Sequence, residues 1–336
     1  MRLEQTVREK DLIKGVLADR HNGRDEMNLV DLPVFLLSTR SQSGVHVRHY
    51  EINEFDRKQH RPVRRRLTVT GDAHHGLPSA AAEEVYLGLL HYTRACNDFV
   101  DPIVLFSRGE LLKTLGWGYR NSAYQRLGRS FDQLCGVRLK CENFWRDNRA
   151  REYRSVENIS IIDYYRFRDG RNRITDDFRE THSEMRWGAA LFESFDAGYL
   201  KKLNLEIALS LKPLARRLYR MLDKHFHPPK RTRLTFDLRE LAFERLGMSR
   251  NYDVAQIRRY LDPAITELEQ IGFLMPPAGQ DRFVPKQGWR GRWDVVFQIV
   301  TAVSTARSVV ESRPQIPRNS KKRPECRIFR NGQFRD

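Results

Sequence analysis

Two stretches of the chain carry the same order of apolar and polar positions. In the first, Val85-Tyr86-Leu87-Gly88-Leu89 lies on a helical run, followed by Phe106-Ser107-Arg108-Gly109-Glu110-Leu111, Leu115-Gly116, and then Leu127, Phe131 and Leu134 at helical spacing. The second has Leu218-Tyr219-Arg220-Met221-Leu222, then Phe236-Asp237-Leu238-Arg239-Glu240-Leu241, Leu246-Gly247, and Leu261, Ile265 and Leu268. Each copy predicts helix, short strand, helix, glycine turn, longer helix and hairpin, which is the order of a winged helix-turn-helix. Gly116 and Gly247 suit the turn because they tolerate positive φ without a Cβ clash. Ser107 and Asp237 stand where N-caps belong.

The rest of the chain is placed around these copies. Residues 1–24 are charged, with Leu3, Val7, Ile13 and Val16 loosely spaced, and are expected to form a flexible arm. Residues 25–78 read as a strand-rich extension packed on the first unit, closed by Gly76-Leu77-Pro78. The first unit is expected over 79–168 and the second over 187–303, with the polar stretch 169–186 as their connection. The first wing is expected to start at Val137-Arg138-Leu139-Lys140-Cys141, turn at Arg146 to Arg151 and return through Ile159-Ser160-Ile161-Ile162-Asp163. The second starts at Gly272-Phe273-Leu274, turns at Lys286 to Arg292 and leads into Val295-Val296-Phe297. Pro263 is expected to kink or break the last long helix, with Asp262 capping the segment after the break. Residues 304–336, rich in Pro, Lys and Arg, read as a disordered basic tail. The fold class is α+β: tandem winged helix-turn-helix domains with a strand-rich N-terminal extension.

If Leu127, Phe131 and Leu134 face inward, Asn121, Ser122, Gln125, Arg126 and Arg129 face outward, with Arg120 just ahead of the helix. In the second copy the outward set is Asn251, Gln256, Arg258 and Arg259, with Ser249 and Arg250 in the turn before it. Arg pairs with guanine and Gln with adenine in a major groove wide enough for a helix. Lys286, Arg290 and Arg292 in the second wing are expected to hold phosphate, and Trp289 and Trp293 to pack that hairpin against its unit.

Composition narrows the partner. A formal charge of +17 over 336 residues creates a field that attracts polyanions, with nucleic acid first among them. With 40% hydrophobic and 31% charged residues the chain can bury packed cores and does not read as a membrane protein. Cys96, Cys135, Cys141 and Cys326 form no C-x-x-C pair, which fits a reducing cytosol.

From Asn28 to about Phe297 the chain resembles the replication initiator protein A family of bacterial plasmids. The resemblance lies in Gly76-Leu77-Pro78, Gly198-Tyr199-Leu200 with Leu203, Ala215-Arg216-Arg217-Leu218-Tyr219, and Leu246-Gly247 followed by Arg258-Arg259-Tyr260-Leu261. It implies a cytoplasmic protein that binds repeated double-stranded origin sequences, helps open adjacent duplex and recruits host replication initiator and helicase proteins; a homodimer is compatible with it.

No G-x-x-x-x-G-K-[ST] occurs, so the phosphate cradle of an ATPase is absent from the sequence. His225-Phe226-His227 resembles the metal-holding triplet of nicking enzymes, with Tyr252 or Tyr260 as nucleophile. At a helix end, however, His225 and His227 diverge by about 200°. The triplet is read as a helix terminus, with its imidazoles near the negative pole of the dipole, and His74-His75 as loop residues without a third ligand. No catalytic residue, metal or cofactor is expected. A metal-dependent rolling-circle nicking enzyme and a tandem winged-helix transcriptional regulator stand as the alternatives.

Overall fold

The computed structural model describes residues 15–38, 44–56, 60–168, 182–226, 231–277, 279 and 281–299. It is a mixed helix and strand fold. The first described segment is docked from Leu17 onward: Leu17 is buried, and its carbonyl lies 3.2 Å from His91 Nε2. After a short turn, β1 (Gly23–Glu26) pairs antiparallel with the distant segment Leu200–Leu203, and α1 (Met27–Val30) follows it. The expected arm therefore ends earlier than residue 24; residues 1–14 lie outside the described residues.

The extension is a long hairpin, β2 (Val47–Asp56) and β3 (Arg61–Thr70). The first repeated series runs α2 (Ala80–Asn97), β4 (Ile103–Phe106), α3 (Arg108–Thr114) and α4 (Asn121–Gly136). Then come β5 (Arg138–Glu142), a small β6–β7 hairpin (Arg146–Asp147 and Glu152–Tyr153), β8 (Val156–Ser160), β9 (Ile162–Arg166) and β10 (Ser183–Trp187). A linking stretch of α5 (Ala189–Asp196), β11 (Leu200–Leu203) and α6 (Leu205–Ser210) follows, with β11 as the partner of β1. The second series is α7 (Pro213–His225), β12 (Arg233–Asp237), α8 (Leu238–Glu240) continuing into a π-helical turn Leu241–Arg245, α9 (Val254–Gln270), β13 (Phe283–Pro285) and β14 (Trp293–Gln298).

Strand pairing gives the two series one topology. The short strand after the first helix pairs with the second strand of the terminal hairpin: the orders are β4-β10-β9 and β12-β14-β13. This corrects the expected first wing. The hairpin with its tip near Arg146 to Arg151 exists, but β5 and β8 join β2 and β3 in a separate four-stranded sheet, order β2-β3-β5-β8. The equivalent of the second hairpin is β9–β10. Residues 183–186, expected in a connection, lie in the central strand of the first three-stranded sheet, and residues 169–181 lie outside the described residues. The pairing of β3 with β5 makes the extension part of the first series, and the outer edge of β2 meets the second. There the Glu51 amide donates to Glu244 at 2.7 Å and the His49 carbonyl accepts from Arg250 at 3.2 Å, so side chains cover an edge strand that would otherwise be unpaired.

Pro263 sits inside α9 without breaking it, and Asp262 caps nothing; its carbonyl accepts from Thr266 Oγ1 at 2.9 Å. Packing of Ala264, Ile265 and Leu268 into the core holds the helix through the missing hydrogen bond.

The two series meet across α2 and α7, where charges are buried. Arg220 grips Asp25 with two bonds, 2.8 and 2.9 Å, and reaches Glu83 at 2.5 Å. Arg216 bonds Glu83 at 3.0 Å, Glu84 at 3.1 Å and the Ala80 carbonyl at 3.1 Å. Arg217 donates to the Leu246 carbonyl at 2.7 Å and to that of Phe35. Burial alone would raise the Glu83 carboxyl, but Arg216, Arg220 and Arg217 overcome it and hold it at about 2. The Ala215-Arg216-Arg217-Leu218-Tyr219 run is therefore an interior clamp and offers no surface to a ligand.

Candidate nucleic-acid interface

Each long helix of the repeat is set by the turn before it. Ser107 accepts from the Glu110 amide and starts α3; Gly116, at φ 70°, then turns the chain toward α4. Asp237 caps α8 in the second series, and Gly247, at φ 69°, makes the equivalent turn. Leu127, Phe131 and Leu134 are fully buried, and Phe106 stacks on Phe131 with ring centroids 5.4 Å apart. In α9 the buried stripe is Ile257, Leu261, Ile265 and Leu268. Each such side chain contributes about 1.5–3 kcal/mol when fully buried, which is enough to fix which face of each helix is left outside.

On α4, Asn121, Ser122, Gln125 and Arg129 are exposed, and Arg120 lies exposed at the N-cap position. Arg120 makes no side-chain capping bond, so the Asn121 and Ser122 amides at the positive end of this helix have no side-chain cap; the Ala123 amide donates to the Arg120 carbonyl at 2.9 Å. Asn121, Gln125 and Arg129, spaced by four, form one stripe along it. Arg126 departs from the expected readout face. Its guanidinium lies 3.9 Å from the Trp117 ring centroid and 3.6 Å from Glu84 Oε2, which also accepts the Trp117 indole N–H at 2.8 Å. Arg126 thus fastens the turn to α4, and Glu84 joins that turn to the Arg216 clamp.

On α9, Arg259 is exposed and has no side-chain partner among the described residues. Three other expected contacts are already engaged. Gln256 closes a capping box with Asp253, its side-chain oxygen accepting the Asp253 amide at 3.0 Å. Arg258 pairs with Asp281 at 2.9 Å and lies over the Phe283 and Trp293 rings at 4.7 and 5.5 Å, so it bolts the hairpin to the helix. Arg250 bonds Glu244 and the His49 carbonyl. An outward position on a helix does not reveal such partners, because long side chains reach several ångströms in any direction. Ser249 and Asn251 are exposed in the turn, where the Asn251 amide faces Ser249 Oγ at 3.4 Å.

In the second hairpin, Lys286 lies between Asp237 and Asp294 at 3.9 Å from each, Arg290 is exposed, and Arg292 stacks on Trp289 at 4.6 Å. Trp289 is 56% exposed and does not pack the hairpin against its unit; Trp293, half-buried, does. Arg166 and Arg168, at the connection end of the β9–β10 hairpin, are not among the expected contacts, and Tyr260 is expected only as the nucleophile of the alternative reading and as part of the resemblance. Tyr260 is 48% exposed and stacks on Tyr252 at 5.0 Å, as Arg126 stacks on Trp117. Aligning Leu127 with Leu261 puts Arg126 opposite Tyr260, a signal that was available in the sequence.

His225 closes α7 with Nε2 3.0 Å from Asp31 Oδ1, and His227 lies outside the described residues. Among the described residues no three His, Cys, Asp or Glu side chains are grouped as metal ligands, and no helix is long and apolar enough to cross a membrane.

The replication initiator protein A family matches residues 24–261. No curated protein matches the sequence. A structure of domains 2 and 3 of RctB, at 12% identity, has a TM-score of 0.51 and covers 81% of this chain and 98% of its own; the likeness is one of fold. A second structure of those RctB domains scores 0.45 at 13% identity, covering 80% of this chain and 97% of its own. The Pi initiator protein in complex with iteron DNA scores 0.42 at 16% identity, covering 66% and 93%.

Proposed function

The chain belongs to the replication initiator protein A family, and we propose that it starts replication by gripping repeated origin duplex with two winged helix-turn-helix units and performs no covalent chemistry. The observation that carries this reading is the repeated topology, in which β4-β10-β9 and β12-β14-β13 each frame a helix with exposed polar and basic side chains. Arg129 and Arg259, with Gln125, Asn121 and Ser122, serve base readout; Arg120, Arg290, Arg292 and Lys286 hold phosphate. The buried clamp between α2 and α7 fixes the spacing of the two helices, so both engage one site and their affinities multiply. Strand opening then draws on binding energy, DNA deformation and recruited host initiator and helicase proteins.

Footprinting on the DNA flanking this protein's own gene tests the proposal. A ladder of protected direct repeats is expected. Protection of a single promoter-like site, with no support for replication of a plasmid carrying the region, would replace initiation by regulation. Metal-dependent nicking of supercoiled plasmid would remove the non-catalytic part of the reading.

A further inference from the structure

We propose that the tip of the β13–β14 hairpin inserts Trp289 between stacked base pairs in the minor groove of bound duplex, making this side chain the element that deforms the DNA. The proposal rests on the duplex-binding reading above.

The tip is built from two consecutive tight turns. The Trp289 amide donates to the Lys286 carbonyl at 3.2 Å, and the Arg292 amide donates to the Trp289 carbonyl at 3.1 Å. Each turn carries a glycine in its third position, Gly288 at φ 77° and Gly291 at φ 78°, as turns with positive φ there require. Lys286 and Arg292 close the hairpin through a backbone bond of 2.9 Å. Trp289 is therefore the shared corner of both turns, with its amide and carbonyl pinned, and it is presented by a fixed apex.

Its side chain has the opposite character. Trp145 and Trp187 are buried, and Trp117 and Trp293 are half-buried, whereas Trp289 leaves 56% of its surface in water and has Arg292 as its aromatic-face partner. Holding an indole in water forgoes the burial that stabilises the other tryptophans. Lys286, Arg290 and Arg292 surround it, so the apex is cationic with an aromatic point. That combination suits a polyanion whose interior is a stack of aromatic rings. Apolar side chains that enter the minor groove beside cationic ones act as wedges that unstack a step and kink the duplex.

The root of the hairpin supplies the placement. Arg258 of α9 pairs with Asp281 and covers Phe283 and Trp293, so helix and hairpin move as one body. With α9 in the major groove, the hairpin extends over the neighbouring minor groove, about 6 Å wide, where the Trp289 ring at its apex is the part that enters.

The test uses the full chain and a relaxed plasmid carrying its own origin, with topoisomerase I present and gel-shift binding measured in parallel. Wild-type protein is expected to leave the deproteinised plasmid negatively supercoiled, because insertion unwinds duplex. Trp289→Ser should bind within about threefold of wild type yet lose that linking-number change, since unstacking and stacking energies nearly offset; Trp289→Phe should retain most of it. An unchanged linking-number shift in Trp289→Ser, or none in bound wild type, overturns the wedge. So does tryptophan fluorescence quenching by single-stranded oligothymidylate but not by duplex that is present in wild type and lost in Trp289→Ser, which would assign Trp289 to single strands. Failure of the wild type to bind duplex at all would instead refute the duplex-binding reading.

Discussion

Replacing Arg220 by Met tests whether the two halves of the molecule are joined by charge. The guanidinium is 3% exposed and makes three bonds, two to Asp25 and one to Glu83, whose side chains are 0% and 1% exposed. Methionine fills a similar volume and supplies none of those donors. Glu83 keeps Arg216 at 3.0 Å, but Asp25 loses the cation that neutralises it in the interior. Removing one partner of a buried pair costs about 3–5 kcal/mol, a large part of a total stability that is itself about 5–15 kcal/mol. With a urea slope of about 3 kcal/mol per M, the unfolding midpoint should fall by about 1–1.7 M. The second arm is Arg220→Met combined with Asp25→Leu, which removes both charges and should recover most of the loss, because an apolar replacement leaves nothing stranded. A single variant costing under about 1 kcal/mol, or a double variant worse than the single, would refute the clamp.

Arg129→Ala and Arg259→Ala should each cost about 1–3 kcal/mol on the origin repeat and less on scrambled duplex, whereas Arg126→Ala should lower thermal stability with little change in base preference; competitive gel shifts and melting curves separate these. Burial raises the Glu26 carboxyl to about 7, against bonds from Ser194, Leu29 and Asn28 that lower it. The unfolded chain ionises this group first, near the ordinary value of about 4.3, so its contribution to stability should fall by up to about 3 kcal/mol as pH rises from there to 7. Glu26→Gln should flatten that slope in urea titrations between pH 5 and 8, a window above the acid range in which Glu83, held at about 2, loses its own contribution. Gly116→Ala meets no atom within 4 Å and should cost only the backbone strain of about 1 kcal/mol, while Gly247→Ala also crowds Pro33, Tyr50 and Arg217 at 3.2–3.3 Å and should cost more by calorimetry.

The sequence by itself determined the features that depend on neighbouring residues. The inward stripes Leu127–Phe131–Leu134 and Leu261–Ile265–Leu268, the capping residues Ser107 and Asp237, the turns at Gly116 and Gly247 and the Lys286–Arg292 tip are all local consequences of helical period, capping and backbone sterics. Only the tertiary structure decided which strands pair. The hairpin strands β5 and β8 pair with each other, but they join β3, about seventy residues away in the chain, in place of β4, which pairs with β10 across a similar distance. Long cationic side chains were equally undetermined. Nothing local in the sequence marks Arg216, Arg217 and Arg220 as interior, and Arg126, Arg250 and Arg258, expected to contact DNA, also hold parts of the protein together. Charge type and helix face are written locally, but an arginine's partner is whichever carboxylate or ring the folded chain brings within its reach, and that is set by contacts far apart in sequence.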